Sequence, residues 1–287
     1  MEMKTLPDVA TPEKTKNFSA LSWVGMNHIQ MPLRYQSQTL SSRMAVFVDL
    51  KAGSHRGIHM SRLYQIVTAE FSEKDLTTIS LSQLVFNLKE SQKGISDSAK
   101  IEIHFELPLK RKSLKSEQLG QRLYPFQISA ELKNNQCQIR LAWEIQYSST
   151  CPASTALSLE LWKESAKITN LSALEWLETL EKMPATPHAQ RSVAKLQVEL
   201  ASDQALDLEY WIKKSEDVLQ TPVQTLVKRV DEQEFARLNG ENPLFCEDAA
   251  RRIQQWLDRD PKVLHYTGSF EHQESLHPHN AVAKISS

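Results

Sequence analysis

The segment that most restricts the possible folds is residues 138–147. There Ile139, Leu141, Trp143, Ile145 and Tyr147 alternate with Gln138, Arg140, Ala142, Glu144 and Gln146. A period of two puts one set on each face of an extended chain, so this is a strand with an apolar side to cover and a polar side to leave open. It needs strand partners, and the sequence offers them. Met44, Val46, Val48 and Leu50 alternate in the same way, as do Ile101, Ile103, Phe105 and Leu107 between Glu102, His104 and Glu106, and again Ala194, Leu196, Val198 and Leu200. Strand-like sequence returns at Val263 and after His279.

Helical spacing fills the gaps. Leu81, Leu84, Val85 and Leu88 stand at i, i+3, i+4 and i+7, which predicts an amphipathic helix, and a second helix is expected to start near His59-Met60-Ser61-Arg62-Leu63. In the other half, Leu206 to Leu219 reads as helical. A further helix is expected to open at Asn242-Pro243, an N-cap and first-turn pair, with Cys246, Ala249, Ala250, Ile253, Trp256 and Leu257 on its core face. Each half then runs strand, strand, helix, helix, strand, strand. The expectation is an α+β protein of two tandem modules, residues 21–134 and 135–287, with antiparallel sheets and helices on one face. Identity between the halves is too low for a sequence repeat. A polar helical insert at about 155–185, with Ala173, Trp176, Leu177 and Leu180 at helical spacing, interrupts the second module. Residues 1–20 read as a flexible tail.

Composition removes several functions. Lys and Arg total 34 against 35 Asp and Glu, so nothing general draws this chain to nucleic acid or an anionic membrane. No apolar run reaches the length of a membrane span and the N-terminus lacks a secretory core, so a cytoplasmic protein is expected. Seven glycines in 287 residues leave no GxGxxG and no GxxxxGK[ST], which excludes a nucleotide held by a Rossmann or P-loop turn. The three cysteines, Cys137, Cys151 and Cys246, offer no CxxC pair and no disulfide framework.

Ligand-type groups concentrate in Glu274-Ser275-Leu276-His277-Pro278-His279-Asn280. Carboxylate and imidazole suit zinc or another divalent transition metal, but a catalytic site needs about three protein ligands, so a partner is required elsewhere. Cys151 and His188 are the candidates. Cys151 ends the strand that opened this section, and His188 lies just before another strand, so the two can meet although 37 residues apart. Pro278 disfavours a helix at His277, and a turn converging Glu274 and His277 is expected instead. Cys137 and Cys246 fall on apolar phases and read as core. Lys228-Arg229-Val230-Asp231-Glu232 reads as a charged turn at the end of a helical segment. Glu247, beside the core-facing Cys246, is either a surface residue or points into a pocket.

In order along the chain, six further pieces join that C-terminal stretch. They are Val24-Gly25-Met26, Gly57-Ile58-His59-Met60-Ser61-Arg62-Leu63, Cys151-Pro152-Ala153-Ser154, His188-Ala189-Gln190-Arg191-Ser192, Lys228 to Glu232, and Glu241-Asn242-Pro243-Leu244-Phe245-Cys246-Glu247-Asp248. Together they resemble the prokaryotic GTP cyclohydrolases of type IB, enzymes of the tunnelling fold. The resemblance spans about Val24 to Lys284. It implies conversion of GTP to 7,8-dihydroneopterin triphosphate and formate, the entry to folate and related pterins. It also implies two modules per chain in a homo-oligomeric barrel, usually a tetramer, with active sites between subunits.

Carried over by position, the resemblance makes Cys151, Glu274 and His277 metal ligands for Zn²⁺ or Mn²⁺, with Glu232 a further candidate near the ion. Cys151 and His188 become the catalytic pair. Glu247 becomes the acid that anchors the guanine edge, and Arg62, Arg191, Lys228 and Arg229 are candidates for the triphosphate. There are two departures: Ala153 stands where the family usually has a second cysteine, and the insert before His188 is long. Two other readings compete. A tunnelling-fold nitrile reductase would use Cys151 as nucleophile with NADPH, and a non-catalytic paralogue would bind a pterin or purine without turnover.

Overall fold

The computed structural model describes residues 18–53, 55–169 and 171–287, so the expected tail lies outside the described residues except for 18–20. The chain begins with a long hairpin, β1 (Leu21–Tyr35) and β2 (Gln38–Leu50), turned at Gln36 and Ser37, both with positive φ. Two helices follow, α1 (Met60–Glu73) and α2 (Thr78–Ser91), then β3 (Ala99–Lys112), β4 (Leu119–Lys133) and β5 (Gln136–Thr150). The insert forms α3 (Pro152–Lys167) and α4 (Ala173–Glu178). After it come β6 (Ala189–Leu200), α5 (Leu208–Leu219), α6 (Arg229–Glu241), α7 (Cys246–Leu257), β7 (His265–His272) and β8 (Ala281–Ser286).

All eight strands form a single antiparallel sheet whose spatial order is the chain order. The antiparallel pairing of both halves is as expected, but the halves share this one sheet because β4 and β5 pair directly. The joint is Asn134-Asn135, both with left-handed φ (52° and 60°), as a two-residue hairpin of the primed type requires. Asparagine tolerates that conformation better than most side chains. The Val24-Gly25-Met26 motif has a steric reason: a Cβ on Gly25 would stand 1.8 Å from the Val46 carbonyl oxygen of the neighbouring strand.

The alternation sorts as expected. Ile139, Leu141, Trp143, Ile145 and Tyr147 are all buried beneath the helices. On the opposite face, Arg140 sits across from Glu199 and Glu144 across from Lys195, forming ion pairs at 3.8 and 3.4 Å between half-exposed side chains. Opposite charges at facing positions of neighbouring strands favour this register. The helix α2 starts with a reciprocal cap: the Ser80 N–H donates to Thr77 Oγ1 at 2.9 Å and the Thr77 N–H to Ser80 Oγ at 3.0 Å. Its Leu81, Leu84, Val85 and Leu88 are fully buried, and each contributes about 1.5–3 kcal/mol. Under α5 and α7, Trp143 stacks obliquely on Trp211 at 5.3 Å and donates from Nε1 to Ser215 Oγ at 3.0 Å.

Two boundaries differ from expectation. Lys228 to Glu232 opens a helix rather than ending one, because Asp231 at its third position accepts from the Lys228 N–H at 2.7 Å. Asn242 is not an N-cap. It closes α6, its N–H donating to the Leu238 carbonyl and its Nδ2 to the Leu219 carbonyl, both at 3.0 Å, while α7 starts at Cys246. Polar α6 has only one fully buried residue, Asp231, so it carries no apolar stripe from which a sequence pattern could be read.

Candidate active site

The ends of β5, β6 and β7 converge on one side of the sheet. Cys151 follows β5 and is the N-cap of α3, with Pro152 in the first turn where no N–H is needed. The first bond of α3 runs from the Thr155 N–H to the Cys151 carbonyl at 2.9 Å. The Cys151 N–H donates to the His188 carbonyl at 3.1 Å, and the His188 N–H donates to Ser154 Oγ at 3.1 Å. The excursion through α3 and α4 therefore returns to its starting point, and Cys151 meets His188 as their sequence neighbourhoods suggested. The imidazole in turn faces the C-terminal stretch, with His188 Nε2 3.8 Å from Glu274 Oε2 and the two side chains 24% and 15% exposed.

That Glu274 oxygen is buried and accepts no hydrogen bond. Its loop is fastened by Asn280, which accepts from the Glu274 N–H at 3.2 Å and donates from Nδ2 to Glu271 Oε1 at 2.6 Å. The expected convergence of Glu274 with His277 is not seen. His277 is exposed and stacks on His279 with ring centroids 5.1 Å apart and planes 9° from parallel. The chain bends through residues 275–279, and this bend brings the two rings together. Among the described residues, no three His, Cys, Asp or Glu side chains are grouped closely enough to hold a metal ion. Glu232 is exposed in the first turn of α6. Asn239, the α6 residue that accepts from Ser148 Oγ at the β5 end, is seven residues further along, about 10 Å of helix. A buried carboxylate oxygen lacking a donor, beside the imidazole of a histidine whose backbone is bonded to that of a cysteine, nonetheless brings together residue types that suit a divalent transition metal.

Below this corner the helix-facing side of the sheet turns polar. Tyr147 Oη and His272 Nε2 are 3.0 Å apart, Ser149 Oγ and Ser192 Oγ 2.8 Å, and Gln190 Nε2 donates to Ser149 Oγ at 2.7 Å. Burial pushes the His272 imidazole down to about 4, against the upward pull of the Glu274, Glu247 and Asp248 carboxylates. Glu247 thus acts on this corner through its charge although its side chain is exposed. The reason is the start of α7: the Leu244 N–H donates to the Thr150 carbonyl at 2.9 Å, which ties the segment before the helix to the end of β5. None of Ser149, Gln190, Ser192 and His272 stood out in sequence. Continuing the alternation of β5, β6 and β7 by one step would have put them on the core face, where polar residues are informative.

The cationic candidates are dispersed. Arg62 is exposed on α1 and donates to the Ser91 carbonyl at 3.0 Å, Arg191 lies on the opposite face of β6 from Gln190 and Ser192, and Lys228 and Arg229 are exposed at the start of α6. Of the other thiols, Cys246 is buried with its sulfur 3.4 Å from the Phe270 carbonyl, and burial pushes both it and half-buried Cys137 up. Asp231 has a structural task. It accepts from the backbone N–H groups of Lys115, Ser116 and Lys228 and from the Ser116 hydroxyl, stapling α6 to the β3–β4 loop.

The family profile described as type I GTP cyclohydrolase folE2 matches residues 6–283. A protein of Hydrogenovibrio crunogenus named GTP cyclohydrolase FolE2 is 40% identical over 291 residues, covering 98% of this chain and 94% of the relative. One of Bdellovibrio bacteriovorus with the same name is 40% identical over 300 residues, covering 100% and 97%. Among solved structures, the uricase of Arthrobacter globiformis superposes with a TM-score of 0.51 at 7% identity, covering 96% of this chain and 95% of that one. A Bacillus fastidious uricase gives 0.50 at 9%, covering 92% and 93%. At such identities these two show the α+β tunnelling fold alone.

Proposed function

We propose, from the premise that the chain belongs to the type I GTP cyclohydrolase folE2 family, that it is itself a metal-dependent GTP cyclohydrolase of the prokaryotic type IB branch. It hydrolyses GTP to 7,8-dihydroneopterin triphosphate and formate, supplying folate or another pterin. The observation that carries this reading is the meeting of Cys151, His188 and Glu274 at one strand end, with an unpartnered carboxylate oxygen between the imidazole and the C-terminal loop. Relatives named as cyclohydrolases favour this over a nitrile reductase.

Cys151, Glu274 and His277 would hold a Zn²⁺ or Mn²⁺ ion, with Glu232 a further candidate, and His277 must turn from its stacking partner to do so. Bound there, the ion would supply the Lewis acidity that lowers the pKa of water toward neutrality. His188 transfers protons as the imidazole ring of guanine opens and formate leaves, a task suited to an imidazole, which can both accept and donate a proton. Glu247 accepts hydrogen bonds from the guanine ring N–H and exocyclic amino group, and adenine has no matching donors at that edge. Arg62, Arg191, Lys228 and Arg229 are the cations available to the triphosphate. Their dispersal over the chain, and that of Glu232 and His277, fits a site completed between copies in a homo-oligomer, which we take to be a tetramer. A cytoplasmic location accords with three free thiols.

The test is incubation of purified protein with GTP and Mn²⁺ or Zn²⁺. Stoichiometric formate should appear together with dihydroneopterin triphosphate, followed by absorbance or, after oxidation, by fluorescence. Intact GTP under both metals would refute the assignment.

A further inference from the structure

The polar patch beneath the site contains one group whose state the fold leaves incomplete. Gln190 is 9% exposed, its Nε2 is bonded to Ser149 Oγ at 2.7 Å, and its Oε1 is buried without any partner. Whichever way round the carboxamide is set, Ser149 engages one end and the other is free. The tether is itself fixed, because Ser149 and Ser192 are fully buried and their hydroxyls lie 2.8 Å apart on neighbouring strands. Buried polar atoms are almost always satisfied, so a free end held in place by two buried serines is a binding group waiting for its partner.

Its position says what that partner is. Gln190 pairs with Ser149 across the strands, and beyond the next pair, Thr150 with Ala189, the Cys151 N–H donates to the His188 carbonyl. Gln190 is the second residue of β6, two residues after His188, and its side chain is on the buried face that it shares with Ser192. A purine whose imidazole ring reaches His188 would extend its six-membered ring over this floor. We infer that the free end of the Gln190 carboxamide hydrogen-bonds a polar atom of the bound purine ring, making Gln190 a base-specificity residue positioned by Ser149 and Ser192. The inference rests on the cyclohydrolase reading above. A carboxamide suits the task because it is neutral and does not compete with Cys151 or Glu274 for a cation.

The test compares wild type with Gln190→Leu and Ser149→Ala, measuring KM and kcat for GTP, calorimetric GTP binding, metal content and melting temperature. Gln190→Leu should raise KM and the dissociation constant for GTP about tenfold, the size of one lost hydrogen bond to a ligand, with kcat within about threefold and metal content unchanged. Ser149→Ala frees the tether alone and should shift both constants the same way by less. Unchanged GTP affinity in Gln190→Leu would overturn the inference, as would a parallel fall of affinity, kcat and metal content, the pattern of local structural damage. If the leucine variant does not fold, Gln190→Met, closer in shape to glutamine, is read by the same criteria. Failure of the functional reading is seen separately, as absence of GTP turnover by the wild type.

Discussion

His188 Nε2 lies 3.8 Å from Glu274 Oε2, and that oxygen is buried with no hydrogen-bond donor in reach. The pair joins the segment before β6 to the loop after β7, two parts of the site that are distant in sequence. Glu274→Gln keeps the shape and removes the charge. Bound metal should fall well below one per chain and formate release should drop by about a hundredfold or more, while the melting temperature changes little. Metal analysis of the purified variant checks this, and full occupancy would remove Glu274 from the ligand set.

Cys151 and His188 should separate in their effects. Cys151→Ala is expected to lose both bound metal and turnover. His188→Ala should retain metal and lose about 10²–10⁴-fold in kcat, the usual contribution of a positioned acid or base. Metal content and kcat measured on the same preparations distinguish the two roles.

For Glu247→Ala the loss should fall on GTP affinity, with bound metal unchanged. Its carboxylate reaches this corner only through the tie between Leu244 and Thr150. Calorimetry with GTP is the measurement, and undiminished affinity would count against a guanine anchor.

Asp231 gives a pH-dependent prediction. Burial alone would raise its carboxyl, but the Ser116 hydroxyl and the backbone N–H groups of Lys228, Ser116 and Lys115 outweigh burial and hold it well below the usual carboxylate range. A group depressed in the folded state contributes stability above its unfolded pKa, about 3.9 for aspartate, and loses it as pH falls through the folded value. Asp231→Asn turns an amide NH₂ toward donors. It should lower the urea midpoint clearly at pH 7, with a narrowing gap to wild type below about pH 4.

Much of the fold was legible because its signal is periodic. The apolar phases of β2, β3, β5 and β6 and the face of α2 all lie in the core. What escaped was coded differently. The helix α6 is held by Asp231 and Asn242 rather than by an apolar stripe, and Asn242-Pro243 carries the same residue types at a helix end that it would at a helix start. Within the site, Cys151, His188 and Glu274 could be singled out as chemical types beside predicted strands. The Gln190, Ser149 and His272 patch could not, since a polar residue announces a burial anomaly only once its strand's facing is known. The stacking of His277 on His279 depends on how the loop bends through residues 275–279, which spacing alone does not specify.

In the core, Trp143 joins β5 to α5 through its ring contact with Trp211 and its bond to Ser215. Trp143→Ala leaves a large void and removes the donor to Ser215 Oγ, whose own hydrogen still goes to the Trp211 carbonyl, and should cost about 3–5 kcal/mol in chemical denaturation. A loss under about 1 kcal/mol would mean that the second half of the sheet is not anchored there.

The sheet is laid out in the order in which its strands are synthesised, β1 through β8, with no strand inserted between two earlier ones. Each new strand leaving the ribosome finds its partner already at the growing edge, so the nascent chain never has to reopen a pairing to admit a later one. The loop carrying Glu274 and Asn280 lies between the final two strands. The scaffold from β1 to β7 can therefore pair in sequence before that loop is in place.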